Sequence, residues 1–62
     1  MTENQWIEIG GIADQEFVDF CDGQVNVKGW AERVKELGYL NDEDAGKLGG
    51  WEKIFWEACE YA

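Results

Sequence analysis

The segment from Gly49 to Ala62, GGWEKIFWEACEYA, constrains the fold most, because its apolar residues recur at helical spacing. At about 100° per residue these side chains form one apolar stripe, which must pack against a core: Trp51, Ile54, Phe55, Ala58 and Ala62. Trp56 falls roughly 140° from the start of the stripe, on the side of Glu52 and Glu60. We expect its indole to pack beneath the N-terminal part of the chain; the alternative is that it faces a partner.

The length of 62 residues predicts a single compact domain over residues 1–62. A chain of this size buries only about 60% of the surface of its unfolded state, so its core needs large side chains. Its four Trp, three Phe and two Tyr residues provide them. With 45% hydrophobic residues, the chain is also too apolar to be a disordered acidic tail.

Acidic residues dominate the charge of the chain: 14 Asp and Glu oppose five Lys and Arg, for a net charge of −9 and no histidine. The negative charge is concentrated in residues 1–27, at −6, and residues 37–62, at −4, whereas residues 28–36 carry +1. Such a field repels nucleic acids and anionic membranes and favours encounters with basic protein surfaces. Direct binding to DNA or RNA is therefore excluded, because it requires clustered Lys and Arg.

The N-terminal sequence MTENQWIEIG has neither a basic region nor an apolar run, and no segment is long enough to span a membrane. We therefore expect no signal peptide, no membrane contact and a cytoplasmic location in a host cell. Cys21 and Cys59 are expected to be reduced and buried as small apolar residues. A disulfide on oxidation remains open if the two thiols are adjacent.

In the N-terminal half, the alternation of Gln5 to Ile9 predicts a short strand that ends at Gly10-Gly11. A short amphipathic helix is predicted next, closed by Gly23. Its apolar positions are Ile12, Ala13, Phe17, Phe20 and Cys21. Alternation at Gln24 to Lys28 predicts a second strand that pairs with Ile7 to Ile9, although a loop into the next helix fits as well.

In the C-terminal half, the spacing of apolar residues predicts a helix from Gly29 to Leu37, with Gly38 as its C-cap. Asn41 is expected to cap a short helix. The Gly49-Gly50 pair then predicts a break before the closing helix. The predicted fold is mostly helical α+β, in the order β-α-β-α-α with a minimal two-stranded ribbon; the alternative is a three- or four-helix bundle.

The sequence lacks the residues that three kinds of chemical site require. A calcium loop starting at Asn41 would have Asn41 and Glu43 in place of the usual first and third ligands and no side-chain oxygen at its fifth position, Ala45. Catalysis would need a nucleophile motif, a histidine or a recognisable pocket, and none is present. The Gly-Gly pairs lack the Lys and Ser or Thr of a phosphate-binding loop. We therefore predict a non-enzymatic protein without metal or cofactor.

The remaining function is that of a ligand for a basic protein surface. Carboxylates on neighbouring helical turns lie roughly 5 to 6 Å apart, comparable to phosphates along a DNA strand. Exposed aromatic side chains would supply hot-spot energy in place of base stacking. The candidate partner-binding residues are Glu16, Asp19 and Asp22 on the predicted first helix, then Asp42, Glu43 and Asp44, and Glu52, Trp56, Glu57 and Glu60 on the last helix, with Trp6 as a second possible anchor. For each single acid, the alternative is a solvated surface charge.

This profile of size, acidity and aromatic content resembles the small acidic phage-encoded inhibitors, particularly anti-CRISPR proteins of the DNA-mimic kind. The resemblance extends over the whole chain and involves no motif, so no individual residue is carried over. It implies a protein, monomer or dimer, that binds a CRISPR effector subunit through Lys and Arg and blocks the access of target DNA.

Two other functions remain open. The same electrostatics would suit an inhibitor or adaptor of another nucleic-acid enzyme, such as RNA polymerase, a nuclease or a glycosylase. In a small virion assembly protein, the acidic surface would only confer solubility and exposed aromatic residues would bind an identical subunit. Binding by mimicry weakens steeply as salt increases, whereas an apolar assembly contact is nearly indifferent to salt.

Overall fold

The computed structural model describes residues 1–19 and 21–61, and this part of the chain forms four helices and one two-stranded ribbon. The elements in chain order are α1 (Glu3–Glu16), β1 (Val18–Asp19), β2 (Gln24–Val25), α2 (Val27–Leu37), α3 (Asp42–Lys47) and α4 (Trp51–Tyr61). The mostly helical α+β class is confirmed, but the predicted order β-α-β-α-α is wrong in the N-terminal half. Phe20 and Ala62, which belong to the predicted apolar stripes, lie outside the described residues.

The strand predicted at Gln5 to Ile9 is wrong, because these residues belong to α1. A capping box starts this helix: the Thr2 hydroxyl accepts the Gln5 backbone N–H at 3.2 Å, and the Gln5 side chain accepts the Thr2 N–H at 2.8 Å. Ile9 and Ala13, four residues apart, are fully buried, whereas Ile7 is 45% exposed. The residues therefore follow helical spacing, and burial of the helix against α4 outweighs the low helix propensity of the glycines that follow Ile9.

The predicted helix over Ile12 to Cys21 is wrong beyond Glu16, where α1 ends. The chain then forms an antiparallel ribbon in which Val18 pairs with Val25. β-Branched valines facing each other favour extended backbone. The strand predicted at Gln24 to Lys28 is confirmed only at Gln24–Val25, because Asn26 caps α2 and Val27 and Lys28 lie in that helix. Its partner is β1 rather than Ile7 to Ile9.

Asp19 holds the turn of the ribbon. Its carboxylate accepts the backbone N–H groups of Cys21 at 3.0 Å and Asp22 at 3.3 Å, and its backbone carbonyl accepts the N–H of Gly23 at 2.8 Å. An aspartate side chain that accepts a hydrogen bond from the backbone N–H two residues ahead favours a turn and disfavours continuation of the helix. This local competition explains why the chain reverses here.

The C-terminal half follows the sequence prediction closely. The predicted helix at Gly29 to Leu37 is confirmed, and begins earlier, at Val27, because Asn26 caps it through the Gly29 N–H at 2.9 Å. Gly38 adopts the left-handed conformation expected of a C-cap, and Asn41 caps α3 through the Asp44 N–H at 2.8 Å. The break at Gly49-Gly50 is also confirmed, with φ values of +107° and +100° that favour glycine.

Trp30 lies at the centre of the core and is fully buried. Its indole N–H donates to the carbonyl of Ile9 in α1 at 2.9 Å. Its ring packs edge-on against Phe55 and Trp51 of α4, with centroid distances of 5.2 and 5.9 Å. One side chain of α2 therefore joins α1 and α4. The buried hydrophobic cluster around it consists of Ile9, Ala13, Val34, Leu40, Ala45, Ile54, Phe55 and Ala58.

Replacing Trp30 with Phe should lower the free energy of unfolding by about 2 kcal/mol, because the hydrogen bond to α1 is lost and a cavity remains. Replacing it with Ala should cost about 3–5 kcal/mol, comparable to the whole stability expected of a domain this small. Urea unfolding followed by circular dichroism measures both. The matched control is Trp56→Phe, which should change stability by no more than about 0.5 kcal/mol. Native-like stability of the W30F variant would contradict the assigned role.

Candidate partner-binding surface

Helix α4 separates its residues into a buried stripe and an acidic outer face. Ile54, Phe55 and Ala58 are fully buried, as the apolar spacing predicted. The opposite side, here called the α4 outer face, consists of Glu52, Lys53, Trp56, Glu57 and Glu60, all exposed. The expectation that Trp56 packs beneath the N-terminal part of the chain is wrong, since 51% of its surface is exposed. The indole faces outward, and its contact with a partner stays a prediction.

Trp56 occupies the middle of this face. Glu52 and Glu60 are four residues before and after it, so the three side chains stand on successive turns about 6 Å apart along the helix. Phe55 contacts the indole edge-on, with centroids 5.3 Å apart and an interplanar angle of 88°. A surface depression beside the indole is lined by Lys53, Trp56, Glu57 and Glu60. The face thus offers an aromatic surface bordered by carboxylates.

The α4 outer face retains a local excess of negative charge. Three carboxylates stand against one lysine, and none of these four side chains enters an ion pair within residues 1–19 and 21–61. Lys53 lies against the backbone at the start of the helix, where a Cβ on Gly49 would meet its Cδ at 2.6 Å. The sequence prediction that Glu52, Trp56, Glu57 and Glu60 share one surface agrees with this arrangement.

The acids at the start of α3 are engaged within the protein. The Asp42 carboxylate accepts the indole N–H of Trp51 at 3.0 Å and a hydrogen bond from Lys35 at 3.3 Å. The Trp51 hydrogen bond, followed by the hydrogen bond and charge of Lys35, lowers the pKa of Asp42. Glu43 pairs with Lys47 one turn later, at 3.6 Å. Asp42 therefore joins α3 to α2 and α4, and Glu43 is paired within α3, whereas Asp44 enters no ion pair among the described residues.

The three acids predicted on the first helix do not share a helix. Glu16 ends α1 and holds Arg33 of α2 through two hydrogen bonds of 3.2 and 3.3 Å. Asp19 lies in β1 and stabilises the turn, and Asp22 is exposed within that turn. The prediction of one helical acidic surface is wrong here because the chain leaves the helix after Glu16. Among the three, Asp22 is the one whose carboxylate has no hydrogen-bond or ion-pair partner among the described residues.

Trp6, the second anchor suggested by the sequence, is only partly exposed. It packs parallel to Tyr61 at the end of α4, with ring centroids 5.5 Å apart and an interplanar angle of 13°. A contact between residues so far apart in the sequence has no local signal. Its main visible role is to join the two ends of the chain.

One further contact was missed by sequence reasoning. The Tyr39 hydroxyl contacts both carboxylate oxygens of Glu8, at 2.9 and 3.0 Å. This hydrogen bond, with smaller contributions from burial and the charge of Glu8, raises the pKa of Tyr39. The two residues are 31 positions apart, so only the packing of α1 brings them together.

The cysteines differ from each other in exposure. Both are free thiols, but Cys21 is exposed in the ribbon turn, so its predicted burial is wrong. Cys59 is partly buried, and this burial, together with the nearby charge of Asp14, raises the pKa of its thiol.

Replacing Asp42 with Asn should lower stability at neutral pH, because Lys35 loses its charged partner. The pKa of Asp42 is lowered by folding, so its contribution is present above the unfolded-state pKa and is lost as pH falls through the folded-state value. The melting temperatures of wild type and D42N should therefore differ at pH 7 and converge in strong acid. Thermal unfolding between pH 7 and about pH 2 tests this, with D22N as the control. A difference that stays constant with pH would contradict the assignment.

No helix in the described ranges, 1–19 and 21–61, combines the length and apolar character needed to pass through a bilayer. Neither a protein-family model nor a curated protein nor a solved structure matches the chain.

Proposed function

We propose that this protein is a non-enzymatic, acidic ligand of a nucleic-acid-binding protein in the host cytoplasm, and that it inhibits its partner by DNA mimicry. The preferred partner is the target-DNA-binding subunit of a CRISPR effector complex. The observation that carries the proposal is the α4 outer face, where an exposed indole lies between carboxylates on successive helical turns.

The overall charge supports this proposal. A net charge of −9 on 62 residues gives a strong negative field that accelerates encounters with cationic clefts. Three of the five basic residues are held in internal ion pairs with Glu16, Asp42 and Glu43. The Arg33 and Lys35 pairs connect α2 to α1 and α3, and the Lys47 pair lies within α3, whereas the acids of the α4 outer face enter no ion pair among the described residues.

The exposed indole supports the same proposal, because burying its apolar surface in a complex would be favourable. A tryptophan side chain can bury up to about 250 Å², so a half-exposed ring has roughly 125 Å² still to remove from water. At about 25 cal/mol per Å², this corresponds to roughly 3 kcal/mol available to a complex. Tryptophan is also among the residues most often found as interface hot spots. Trp56 would provide affinity, while Glu52, Glu57 and Glu60 would orient the partner.

The proposal is tested by competition. Labelled DNA is bound to each member of a panel that includes CRISPR effector complexes, RNA polymerase, a nuclease and a glycosylase, and the protein is added at low salt. We expect displacement of DNA from at least one member, weakening as ionic strength increases. The panel also separates the CRISPR effector from the other nucleic-acid enzymes as targets.

Charge-matched variants locate the surface responsible. The triple variant E52Q/E57Q/E60Q should lose about tenfold in inhibitory potency, from roughly 0.5 kcal/mol per carboxylate. The control E3Q/E32Q/E36Q has the same net charge but changes exposed acids on α1 and α2, and should lose less than about threefold. Equal losses in the two variants would show that only total charge matters, and no displacement at low salt would contradict the proposal.

Asp22 tests whether the ribbon turn contributes to encounter. Asp19 is unsuitable because its carboxylate holds the turn. Replacing Asp22 with Lys should slow association by about threefold, because a rim charge acts mainly on the association rate. E32K, with the same change of charge on α2, is the control in a stopped-flow or surface-binding measurement. An unchanged association rate for D22K would remove the turn from the interface.

A second candidate function is self-assembly, as in a small virion protein. A separate depression is lined by Met1, Tyr39, Leu40 and Leu48 with Asp44 and Lys47. Met1 and Leu48 are 40% and 44% exposed, which would suit an apolar contact between copies. Oligomerisation that persists at high salt and is abolished by Leu48→Asp would favour this function.

A further inference from the structure

Two basic side chains, Arg33 and Lys35, each contact both an aromatic ring and a carboxylate. The guanidinium carbon of Arg33 lies 5.9 Å from the centroid of the Phe17 ring, while its terminal nitrogens donate to the two carboxylate oxygens of Glu16. An aromatic face and a carboxylate thus act on one cation at the same time, because the ring quadrupole and the carboxylate both attract positive charge.

The second example uses a lysine. The Lys35 ammonium lies 6.0 Å from the centroid of Trp51 and donates to Asp42 at 3.3 Å. The same Asp42 oxygen accepts the indole N–H of Trp51. This hydrogen bond holds Trp51 and Asp42 together without the help of the lysine.

The α4 outer face repeats the aromatic and acidic components, but in the described part of the chain no basic side chain lies over its ring, although Lys53 lines the same depression. Trp56 provides an exposed indole, and Glu52, Glu57 and Glu60 provide the carboxylates. Within the described residues, the cation–π contacts come from Arg33 and Lys35 and neither reaches Trp56. The nearest candidate on the helix, Lys53, lies instead against Gly49.

We propose that the α4 outer face binds an arginine side chain of a basic protein partner, with the guanidinium stacked on Trp56 and hydrogen-bonded to the flanking glutamates. The inference rests on the proposed function and specifies the chemistry of its partner. Arginine fits better than lysine, because its planar group stacks on the ring, is weakly hydrated and presents several donors to carboxylates.

Charge complementarity decides among possible occupants. A base of a nucleic acid could stack on the indole, but the phosphates of its backbone would be repelled by the carboxylates of Glu52, Glu57 and Glu60. A second copy of the chain would bring another net charge of −9 to the same acidic face. A basic segment encounters neither repulsion, and its arginine can use both the ring and the carboxylates.

The test compares an oligoarginine peptide with an oligolysine peptide of equal length, titrated into ¹⁵N-labelled protein at low salt. The indole N–H resonance of Trp56 is assigned from its loss in the W56L variant. We expect the arginine peptide to bind about fivefold more tightly and to shift this resonance more than those of the other tryptophans.

Two variants distinguish the contribution of the Trp56 ring to peptide binding from that of the glutamate charges. W56L keeps an apolar side chain without a π face and should bind both peptides equally. E52Q/E57Q/E60Q should lower the affinity for both peptides. Leu48→Ala removes an exposed apolar side chain from another surface and should preserve the arginine preference. Circular dichroism of each variant verifies folding, and if W56L unfolds, W56F replaces it and should reduce the preference partly.

Equal affinity for the two peptides in the wild type, or an arginine preference that survives in W56L, would overturn the arginine site. Salt-sensitive binding of both peptides without a Trp56 shift would leave general DNA mimicry intact while refuting this inference. Absence of binding by either peptide, combined with no displacement of DNA from the panel, would refute both.

Discussion

The structure depends on one buried side chain, Trp30. Its indole N–H satisfies a carbonyl of α1, and its ring contacts Phe55 and Trp51 of α4. In a domain of 62 residues, few other side chains are large enough to reach two neighbouring helices from a third. Because the hydrogen bond lies within a fully buried site, it also fixes the position of α2 relative to α1. This arrangement leaves the opposite side of α4 uncovered.

The unequal distribution of the basic residues follows from the same packing. Arg33 and Lys35 extend from α2 to acids on α1 and α3, so they strengthen contacts between elements. Exposed ion pairs of this kind contribute little to stability individually, but they determine which acids remain available to a partner. Glu16 and Asp42 are paired with basic side chains of α2, whereas the glutamates of the α4 outer face enter no ion pair among the described residues. Net charge alone would not distinguish these two groups.

The internal contacts of the basic residues give the proposed partner chemistry a physical basis. Arg33 between Phe17 and Glu16, and Lys35 between Trp51 and Asp42, show how this chain accommodates a cation. Trp56 and its neighbouring glutamates provide the same groups toward solvent. Burial of an indole adds apolar free energy that carboxylates alone cannot supply. The proposed arginine site therefore combines hydrophobic and electrostatic terms in one small surface.

The sequence by itself determined the C-terminal half, because its signals are local: the cap at Asn41, the glycines at 49 and 50 and the apolar spacing of Ile54, Phe55 and Ala58 each act within a few residues. In the N-terminal half, the alternation at residues 5–9 competed with the Thr2–Gln5 capping box, and packing against α4 decided for helix. Only the tertiary structure decided which acids form ion pairs with basic residues of other elements and that Trp56 is exposed. These outcomes depend on contacts between residues far apart in the chain, whose spacing in sequence carries no information about their distance in space.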